Sequence, residues 1–265
     1  MTDGARSVAF DRAAEYYDAT RGLSEEGNRR QTALLVAELA ERGRVLEVGV
    51  GTGQVALPLH AAGIPVVGID LARPMMRRLV EKAGGAIPFP LLEADATRMP
   101  FADATFGAAY LRWVLHLIPD WRAALGEAAR VVARGGVILV LPGAAGKNTP
   151  ESEIQARFAE LTGVPFEPAG LKWAGYGELD GAMAALGASP RALPAFTEVE
   201  RDGLDAFLER IEKRRYSWTW RVPDDERFAR AVADVRRFAQ DRFGPFERVP
   251  RQEFEVAWRA YDLPA

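Results

Sequence analysis

The chain has 265 residues, a formal net charge of −3, no cysteine and two histidines. The lack of cysteine excludes disulfide bonds, a thiolate nucleophile and a thiolate metal site, and two histidines exclude a histidine-rich metal centre. A net charge this small provides no general attraction to nucleic acid or anionic lipid. No long apolar run and no charged leader followed by an apolar stretch occurs, so we expect a cytoplasmic protein that does not span a membrane. Only two asparagines occur, Asn28 and Asn148, while arginine is abundant and cysteine absent, which points to a thermophilic source. A GC-rich genome is the alternative explanation of the abundant arginine and alanine.

Strands alternate with helices along the first half of the chain. Hydrophobic periodicity predicts helices over 8–17 and 28–42, and capping signals predict one helix that opens at Pro74 and another capped by Asp120. Predicted strands lie near 44–49, 65–70, 90–94, 106–111 and 136–141. This alternation predicts an α/β fold with a doubly wound parallel sheet, whose ligand lies outside the carboxyl ends of the strands.

The segment from Val45 to Gln54 has the most informative pattern of the chain, Val-Leu-Glu-Val-Gly-Val-Gly-Thr-Gly-Gln. It predicts a buried strand that runs into a glycine turn, where glycine allows positive φ angles and a close approach of the backbone to a ligand. A dinucleotide-binding loop has the spacing Gly-x-Gly-x-x-Gly, which would need a glycine at position 54. The observed spacing, Glu-x-Gly-x-Gly-x-Gly, therefore argues against a nicotinamide-dependent oxidoreductase.

A second apolar run ends in Asp70, 21 residues after Gly49. An acid at the tip of the second strand is placed to accept hydrogen bonds from both hydroxyls of a ribose. Asp70 therefore predicts that a nucleoside is bound, without distinguishing a dinucleotide from another adenosyl cofactor.

Three further motifs follow in order: Leu91 to Phe101 with Asp95 inside it, Phe106 to His116, and Val131 to Val140. Together with the glycine turn and Asp70, they resemble the class I S-adenosylmethionine (SAM)-dependent methyltransferases, in particular the small-molecule, ubiquinone/menaquinone-type group. The resemblance implies a Rossmann-like sheet of seven strands with the last strand antiparallel, SAM as cofactor and S-adenosylhomocysteine as product. The chain departs from the family at Gly107, where an acid is usual.

The resemblance also implies a set of cofactor-binding residues. Glu47 would help to hold the amino group of SAM, and Asp95 would bind the adenine amino group. Tyr17 lies in a segment similar to the family's Phe-x-x-x-Ala-x-x-Tyr-Asp and would cover the cofactor. Arg21 would pair with the SAM carboxylate, with a purely structural role as an equal alternative. The other predicted cofactor-binding positions are Gly49, Val50, Gly51, Gln54, Asp70, Leu71, Ala96 and Thr97.

Methyl transfer from a sulfonium mainly needs alignment and the exclusion of water, and it needs a base only when the acceptor must lose a proton. His116 follows the fourth predicted strand and is the candidate base, since an unperturbed histidine has a pKa near ~6.5. The alternative is that His116 only packs or holds its loop. Arg112 and Trp113 share this edge of the sheet, and one of them would face the acceptor.

Two stretches exceed what the sheet requires, 147–190 and 203–243. Insertions around the last strands commonly form a cap over the substrate in this family. The second stretch contains two amphipathic helical patterns, whose apolar stripes indicate packing. Tyr216, Trp218 and Trp220 follow the first of these patterns and are candidate acceptor contacts.

The resulting organisation has N-terminal cap helices over 1–43 and a SAM-binding core over 44–146, with the cap insertions after it. The segments 191–202 and 244–265 would close the core. We expect the two closing antiparallel strands at roughly 192–200 and 252–260.

We therefore expect a monomeric or weakly dimeric enzyme that transfers the methyl group of SAM by in-line displacement to oxygen, nitrogen or carbon of a small molecule. One alternative is a SAM-binding protein without transferase activity. Another is an RNA methyltransferase, because basic and aromatic residues alternate over 210–221. The acidic run that follows at once, 224–226, argues against nucleic acid as a partner.

Overall fold

The computed structural model of the chain describes residues 10–143, 149–172, 176–200 and 202–265. Two compact units are present. Among the described residues, the first comprises 10–143, 169–172, 176–196 and 256–265, and the second comprises 149–168, 197–200 and 202–255.

Nine strands occur in the described residues: β1 Val45–Val48, β2 Val66–Asp70, β3 Leu91–Glu93, β4 Phe106–Arg112, β5 Val132–Leu141, β6 Ser189–Ala192, β7 Phe196–Val199, β8 Glu253–Val256 and β9 Arg259–Asp262. Seven of them form one sheet in the order β3-β2-β1-β4-β5-β9-β6. Strands β1 to β5 are parallel, and β9 is antiparallel to β5 and β6. This confirms the doubly wound methyltransferase-type sheet, in which the strand that comes last along the chain is the antiparallel one.

The helices, numbered along the chain, are α1 Tyr17–Thr20, α2 Glu25–Leu39, α3 Ala56–Ala61, α4 Arg73–Lys82, α5 Trp121–Val131, α6 Pro150–Thr162, α7 Gly177–Ala185, α8 Leu204–Glu212 and α9 Asp225–Phe243. In α5 the Asp120 carboxylate accepts the Ala123 amide at 3.1 Å, which satisfies one free N–H group of the first turn and confirms the predicted cap. Its buried face, with Trp121, Leu125 and Ala128, packs in the core of the first unit. No helix among the described residues is long and apolar enough to cross a membrane.

The second unit has its own core, formed mainly by α6, α8 and α9. Both predicted amphipathic helices are present there, and their stripes pack as expected, with Phe207 and Ile211 on α8 and Phe228 and Val235 on α9 buried. Trp218, in a 3-10 helix between α8 and α9, belongs to the same core. The unit is therefore held together by its own apolar side chains.

Several predicted boundaries differ from the structure, and the helix predicted over 28–42 is α2, Glu25–Leu39. The closing strands are β6 and β9, whereas the predicted ranges 192–200 and 252–260 contain mainly β7 and β8, which form a separate two-stranded sheet. The predicted insertion over 147–190 is shorter in the structure, because 169–196, including α7, belongs to the first unit. The predicted helix over 8–17 is instead a 3-10 helix, Asp11–Ala13, followed by α1, and residues 8 and 9 lie outside the described residues.

Gly107, the departure from the family pattern, has a steric reason. It lies at the amino end of β4, where a Cβ atom would lie 1.7 Å from the carbonyl oxygen of Arg42. The Gly107 amide also donates to the Arg44 carbonyl at 2.9 Å, which holds the two segments together. A side chain at this position would push the chain before β1 away from the sheet.

Candidate active site

The glycine turn between β1 and α3 has the backbone that its sequence predicts. Gly49, Gly51 and Gly53 have φ angles of +80°, +52° and +77°, which L-residues with side chains rarely adopt. A Cβ at Gly49 would lie 2.8 Å from Val114, and one at Gly53 would lie 2.7 Å from Leu79. At Gly51, by contrast, the nearest atom is Met75 Cε at an ordinary 3.6 Å. A side chain at Gly49 or Gly53 would therefore clash with its neighbours, whereas at Gly51 the lack of a side chain leaves the backbone open to a ligand.

Asp70 ties the glycine turn to the end of β2. One carboxylate oxygen accepts the Gly51 amide at 2.7 Å, and the other accepts the Ala72 amide at 2.8 Å. Burial raises the pKa of Asp70, and the backbone N–H bonds oppose that rise. Each oxygen keeps a lone pair, so the carboxylate can accept a further hydroxyl from a ribose.

Glu47 is a carboxyl group buried inside the sheet, only 3% exposed. It lies opposite Tyr110 of β4, whose hydroxyl donates to Glu47 Oε2 at 3.0 Å. Burial raises the pKa of Glu47 to about 8, although the Tyr110 bond and the nearby Arg112 charge act to lower it. A cationic group placed beside Glu47 would stabilise its ionised form.

A polar network joins the N-terminal segment to the glycine turn, and no local sequence pattern predicts it. The Asp18 carboxylate accepts Thr52 Oγ1 at 2.6 Å and Gln54 Nε2 at 2.9 Å through one oxygen. Lys82 Nζ donates to its other oxygen at 2.8 Å. Gln54 Nε2 also donates to the carbonyl of Arg21 at 3.1 Å. These bonds fix the segment around α1 to the loop that follows β1.

Arg112, the last residue of β4, is 8% exposed. Its Nη1 donates to Gln54 Oε1 at 2.9 Å, and its guanidinium lies 3.7 Å from the centre of the Trp113 ring. Nε and Nη2 are buried without an acceptor among the described residues. Burial lowers the pKa of Arg112 to about 10, so the group remains charged at neutral pH. Trp113 has a φ of +52°, a strained value for an aromatic residue.

Tyr17 packs beside this network. Its ring meets Phe10 edge-on at 6.0 Å between centroids, in a small cluster with Ala14, Ala72 and Met75. Burial raises the pKa of Tyr17, and the charges of Arg112 and Arg21 oppose the rise. Arg21 Nη1 donates to the carbonyl of Thr20 at 2.9 Å.

The segment after β3 forms a tight polar turn around Asp95. The Thr97 amide and hydroxyl both donate to Asp95 Oδ1, at 2.9 and 2.8 Å. Both bonds use the same oxygen, which leaves Oδ2 available for a ligand. Ala96 is half-buried against the core of the first unit, and Leu71, after β2, is 38% exposed.

His116 lies in a short 3-10 helix, Leu115–Leu117, after β4. Burial lowers its pKa to about 4, and the Arg21 charge adds to this effect. The imidazole is therefore neutral at physiological pH. Its own backbone carbonyl accepts the Gly170 amide at 3.0 Å, and so the segment also anchors the chain that enters the first unit again.

The three aromatic candidates lie in the second unit. Trp218 is 7% exposed and meets Phe158 and Phe166 edge-on, and Tyr216 stacks on it at 5.5 Å between centroids. Trp220 Nε1 donates to the Arg214 carbonyl at 2.7 Å. These contacts give all three residues a packing role inside this unit, and contact with an acceptor stays a prediction.

The geometry collects cofactor-type groups at the carboxyl ends of β1, β2, β3 and β4. A model of the methyltransferase domain family matches residues 46–140, which span these strands. A phosphatidylethanolamine N-methyltransferase of Cereibacter sphaeroides is 35% identical over 202 residues, covering 75% of this chain and 93% of that protein. The chain belongs to the class I SAM-dependent methyltransferases.

Other relatives match a smaller part of their length. A demethylmenaquinone methyltransferase of Thermus thermophilus is 39% identical over 141 residues, covering 50% of this chain and 63% of that protein. Among solved structures, the cyclase SpnF aligns with a TM-score of 0.58 and 20% identity, covering 99% of this chain and all of that one. The last likeness concerns the fold alone, and it shows that a protein described as a cyclase has this fold.

The enzyme is thus a SAM-dependent methyltransferase, and the residues at this edge suit that cofactor. The open backbone at Gly51 permits close approach of a ligand, and the Asp70 carboxylate can accept hydrogen bonds from ribose hydroxyls. The buried pair Glu47 and Arg112 offers one carboxyl group and one guanidinium to an amino acid. Within the described residues, no group of three or more histidine, aspartate or glutamate side chains could hold a metal ion.

Proposed function

We propose that this methyltransferase transfers the methyl group of SAM to the nitrogen of a small amine by in-line displacement. The observation that carries this proposal is the match to the Cereibacter N-methyltransferase, which covers 93% of that protein. The burial that lowers the pKa of His116 to about 4, at the end of the sheet where the acceptor would lie, agrees with it. A base this weak has little driving force to remove a proton from a hydroxyl or a carbon acid. An amine that binds in its neutral form, after its ammonium proton has passed to solvent, needs no such base: its lone pair forms the bond to the methyl carbon while the C–S bond of SAM breaks, leaving S-adenosylhomocysteine and the methylated ammonium.

The cofactor residues are proposed from the same geometry. SAM supplies a methyl group on a sulfonium, which is already a good leaving group. Glu47 would hold its amino group, Asp70 its ribose hydroxyls and Asp95, through Oδ2, its adenine amino group. Leu71, Ala96 and Thr97 would line the adenine pocket. Tyr17 would cover the cofactor and help to exclude water, which favours attack by the acceptor alone.

The Cereibacter relative supports an amine acceptor, because its name describes N-methylation of an ethanolamine lipid and the match covers nearly all of it. We expect transfer of a labelled methyl group to ethanolamine-type amines, measured with SAM as donor over a panel of amines. Transfer to hydroxyl or carbon acceptors alone would overturn the proposal.

Carbon methylation of a quinone precursor is the second candidate. It is favoured by the 39% identity to the Thermus relative, whose name describes methylation of demethylmenaquinone. This reaction needs a base to ionise the acceptor. His116 would then have to act as that base, and a reduced demethylmenaquinone in the same panel tests the point directly.

The role of His116 can be separated by substitution. We expect His116→Gln to change the rate with an amine by less than about threefold, since no proton is removed by this residue. His60→Gln, at the other histidine of the chain, is the matched control. If the rate of His116→Gln fell by more than about a hundredfold, while its affinity for S-adenosylhomocysteine and its melting temperature were unchanged, His116 would be the base.

The contacts of 210–221 favour a small molecule over RNA. Arg210 pairs with Asp202, Arg214 pairs with Asp225 at 2.7 Å, and Arg221 donates to the Glu167 carbonyl at 2.6 Å. Cations engaged in this way are poorly placed to bind phosphates. Salt-sensitive binding of tRNA in a filter assay would contradict this inference.

The remaining alternative is a protein that binds SAM without transferring its methyl group. Turnover with any acceptor in the panel excludes it. A monomeric or weakly dimeric state, a cytoplasmic location and a thermophilic source stay predictions. Light scattering coupled to size-exclusion chromatography tests the first of these.

A further inference from the structure

Arg112 of the first unit has buried nitrogens without a partner, which its predicted role as a possible acceptor contact does not explain. A guanidinium has five N–H donors and is normally paired when it is buried. Here Nη1 has an acceptor in Gln54, while Nε and Nη2 are shielded from solvent and have none among the described residues. No carboxylate of the described residues lies within ion-pair distance of it. An unpaired buried cation is costly, so a ligand that supplies an anion would be bound strongly.

The position of Arg112 indicates which anion this is. Its one partner, Gln54, belongs to the glycine turn, and Glu47 and Tyr17 are close enough for their charges to interact with it. Glu47 is the carboxyl group on the same side of the sheet. A guanidinium beside a carboxyl group matches the two charges of a free amino acid, one carboxylate and one ammonium.

We propose that Arg112 binds the carboxylate of the methionyl part of SAM through Nε and Nη2, with Glu47 on the ammonium group. This assignment rests on SAM being the cofactor. It replaces Arg21 as the carboxylate partner and removes Arg112 from the acceptor contacts. The indole of Trp113 lies over the guanidinium, with its ring centre 3.7 Å from Arg112 Cζ.

The test compares two ligands on three variants by calorimetric titration. S-Adenosylhomocysteine (SAH) has the amino acid part, whereas 5′-methylthioadenosine has the same adenosyl thioether without it. Arg112→Met removes the charge and keeps much of the stem, and Arg112→Lys keeps the charge without the planar fork. Arg122→Met is the matched control, because Arg122 also lies over a tryptophan, Trp121, at 4.1 Å but is exposed.

We expect Arg112→Met to weaken SAH binding by about 10- to 100-fold and to leave the affinity for 5′-methylthioadenosine within about twofold. Arg112→Lys should fall between Arg112→Met and the wild-type chain, and Arg122→Met should change neither affinity. The melting temperature of Arg112→Met without ligand should equal or exceed that of the wild-type chain, because an unpaired buried charge has been removed. A structural role would lower it instead.

Several results would overturn the proposal. Equal losses for both ligands would mean that Arg112 only shapes the site. Unchanged SAH affinity with lost turnover would assign Arg112 to an anionic acceptor. If the wild-type chain bound neither ligand, the cofactor assignment itself would fail, and that outcome is distinct from a failure seen only in the variants.

Discussion

Two arginines, one in each unit, differ in whether the protein itself supplies partners for their charge. In the second unit Arg214 pairs with Asp225 at 2.7 Å, donates to the Val222 carbonyl at 2.7 Å and lies over the Phe228 ring at 3.7 Å. In the first unit Arg112 also lies over an aromatic ring, but it has a single neutral acceptor and two buried nitrogens without one. The first arginine is satisfied within the protein and the second is not.

The same contrast extends to the carboxyl groups. Two acids of the second unit, Glu212 and Asp205, form ion pairs with Arg236 at its surface. Glu47, in the first unit, is buried and has a pKa of about 8. Groups that a fold leaves unsatisfied are typical of functional sites, since a ligand completes them. Arg112 and Glu47 at the edge of the sheet are therefore candidates for binding a ligand, whereas Arg214 and the ion pairs of Arg236 stabilise the second unit.

The largest expected effect lies in the second unit. Trp218→Ala should lower the free energy of unfolding by about 3–5 kcal/mol, because it removes a buried ring packed against Phe158 and Phe166. Denaturant unfolding followed by circular dichroism measures this loss. SAH affinity of the folded protein should not change. If Trp218→Ala left stability intact and reduced only turnover, Trp218 would contact the acceptor and would not be a packing residue of the second unit.

The next effect concerns Glu47 and pH. Its pKa is raised from 4.5 to about 8 in the folded state, so its contribution to stability is full below about pH 4.5 and is lost as the pH rises to 8. Glu47→Gln keeps an acceptor for the Tyr110 hydroxyl and cannot ionise. Without ligand, its free energy of unfolding at pH 8 should therefore exceed that of the wild-type chain by on the order of a few kcal/mol, with little difference at pH 4.5. If the difference in stability between Glu47→Gln and the wild-type chain were the same at pH 4.5 and pH 8, a buried, protonated Glu47 would be contradicted.

The smallest expected effects are those on the nucleoside. Asp70→Ala and Asp95→Ala should each weaken SAM binding by roughly 1–3 kcal/mol, because each leaves polar groups without a partner. Asp205→Ala, in the second unit, is the control and should not change the affinity. Calorimetry that finds unchanged affinity in both site variants would remove these residues from the cofactor site.

Much of the first unit could be predicted from local sequence. The glycine turn, the acid that ends β2 and the cap of α5 are each determined by a few adjacent residues. The closing strands were misplaced because β6 has the sequence Ser-Pro-Arg-Ala, which has no strand pattern. Proline is tolerated there since β6 is an edge strand. The alternation in β7 and β8 is a true strand signal, but periodicity does not tell which sheet a strand joins.

Residue type and spacing could propose the candidate site residues, whose roles stay predictions, but could not show the long-range contacts among them. Tyr110 reaches Glu47 only through the register of β1 and β4, and Asp18 reaches Gln54 across 36 positions of sequence. A sequence motif also cannot predict the partners of Arg112, because they depend on which distant residues the fold places around the end of β4. Residue type and spacing identify candidates, and only the fold shows which charges remain without a partner.

Whether Arg112 and Glu47 bind the amino acid part of SAM is tested most directly by a calorimetric titration of the wild-type chain with SAH and with 5′-methylthioadenosine at pH 7. If the unsatisfied charges at the edge of the sheet bind an amino acid, SAH should bind at least about 100-fold more tightly, because two charge-assisted contacts depend on that part of the ligand. Equal affinities for the two ligands would contradict the claim.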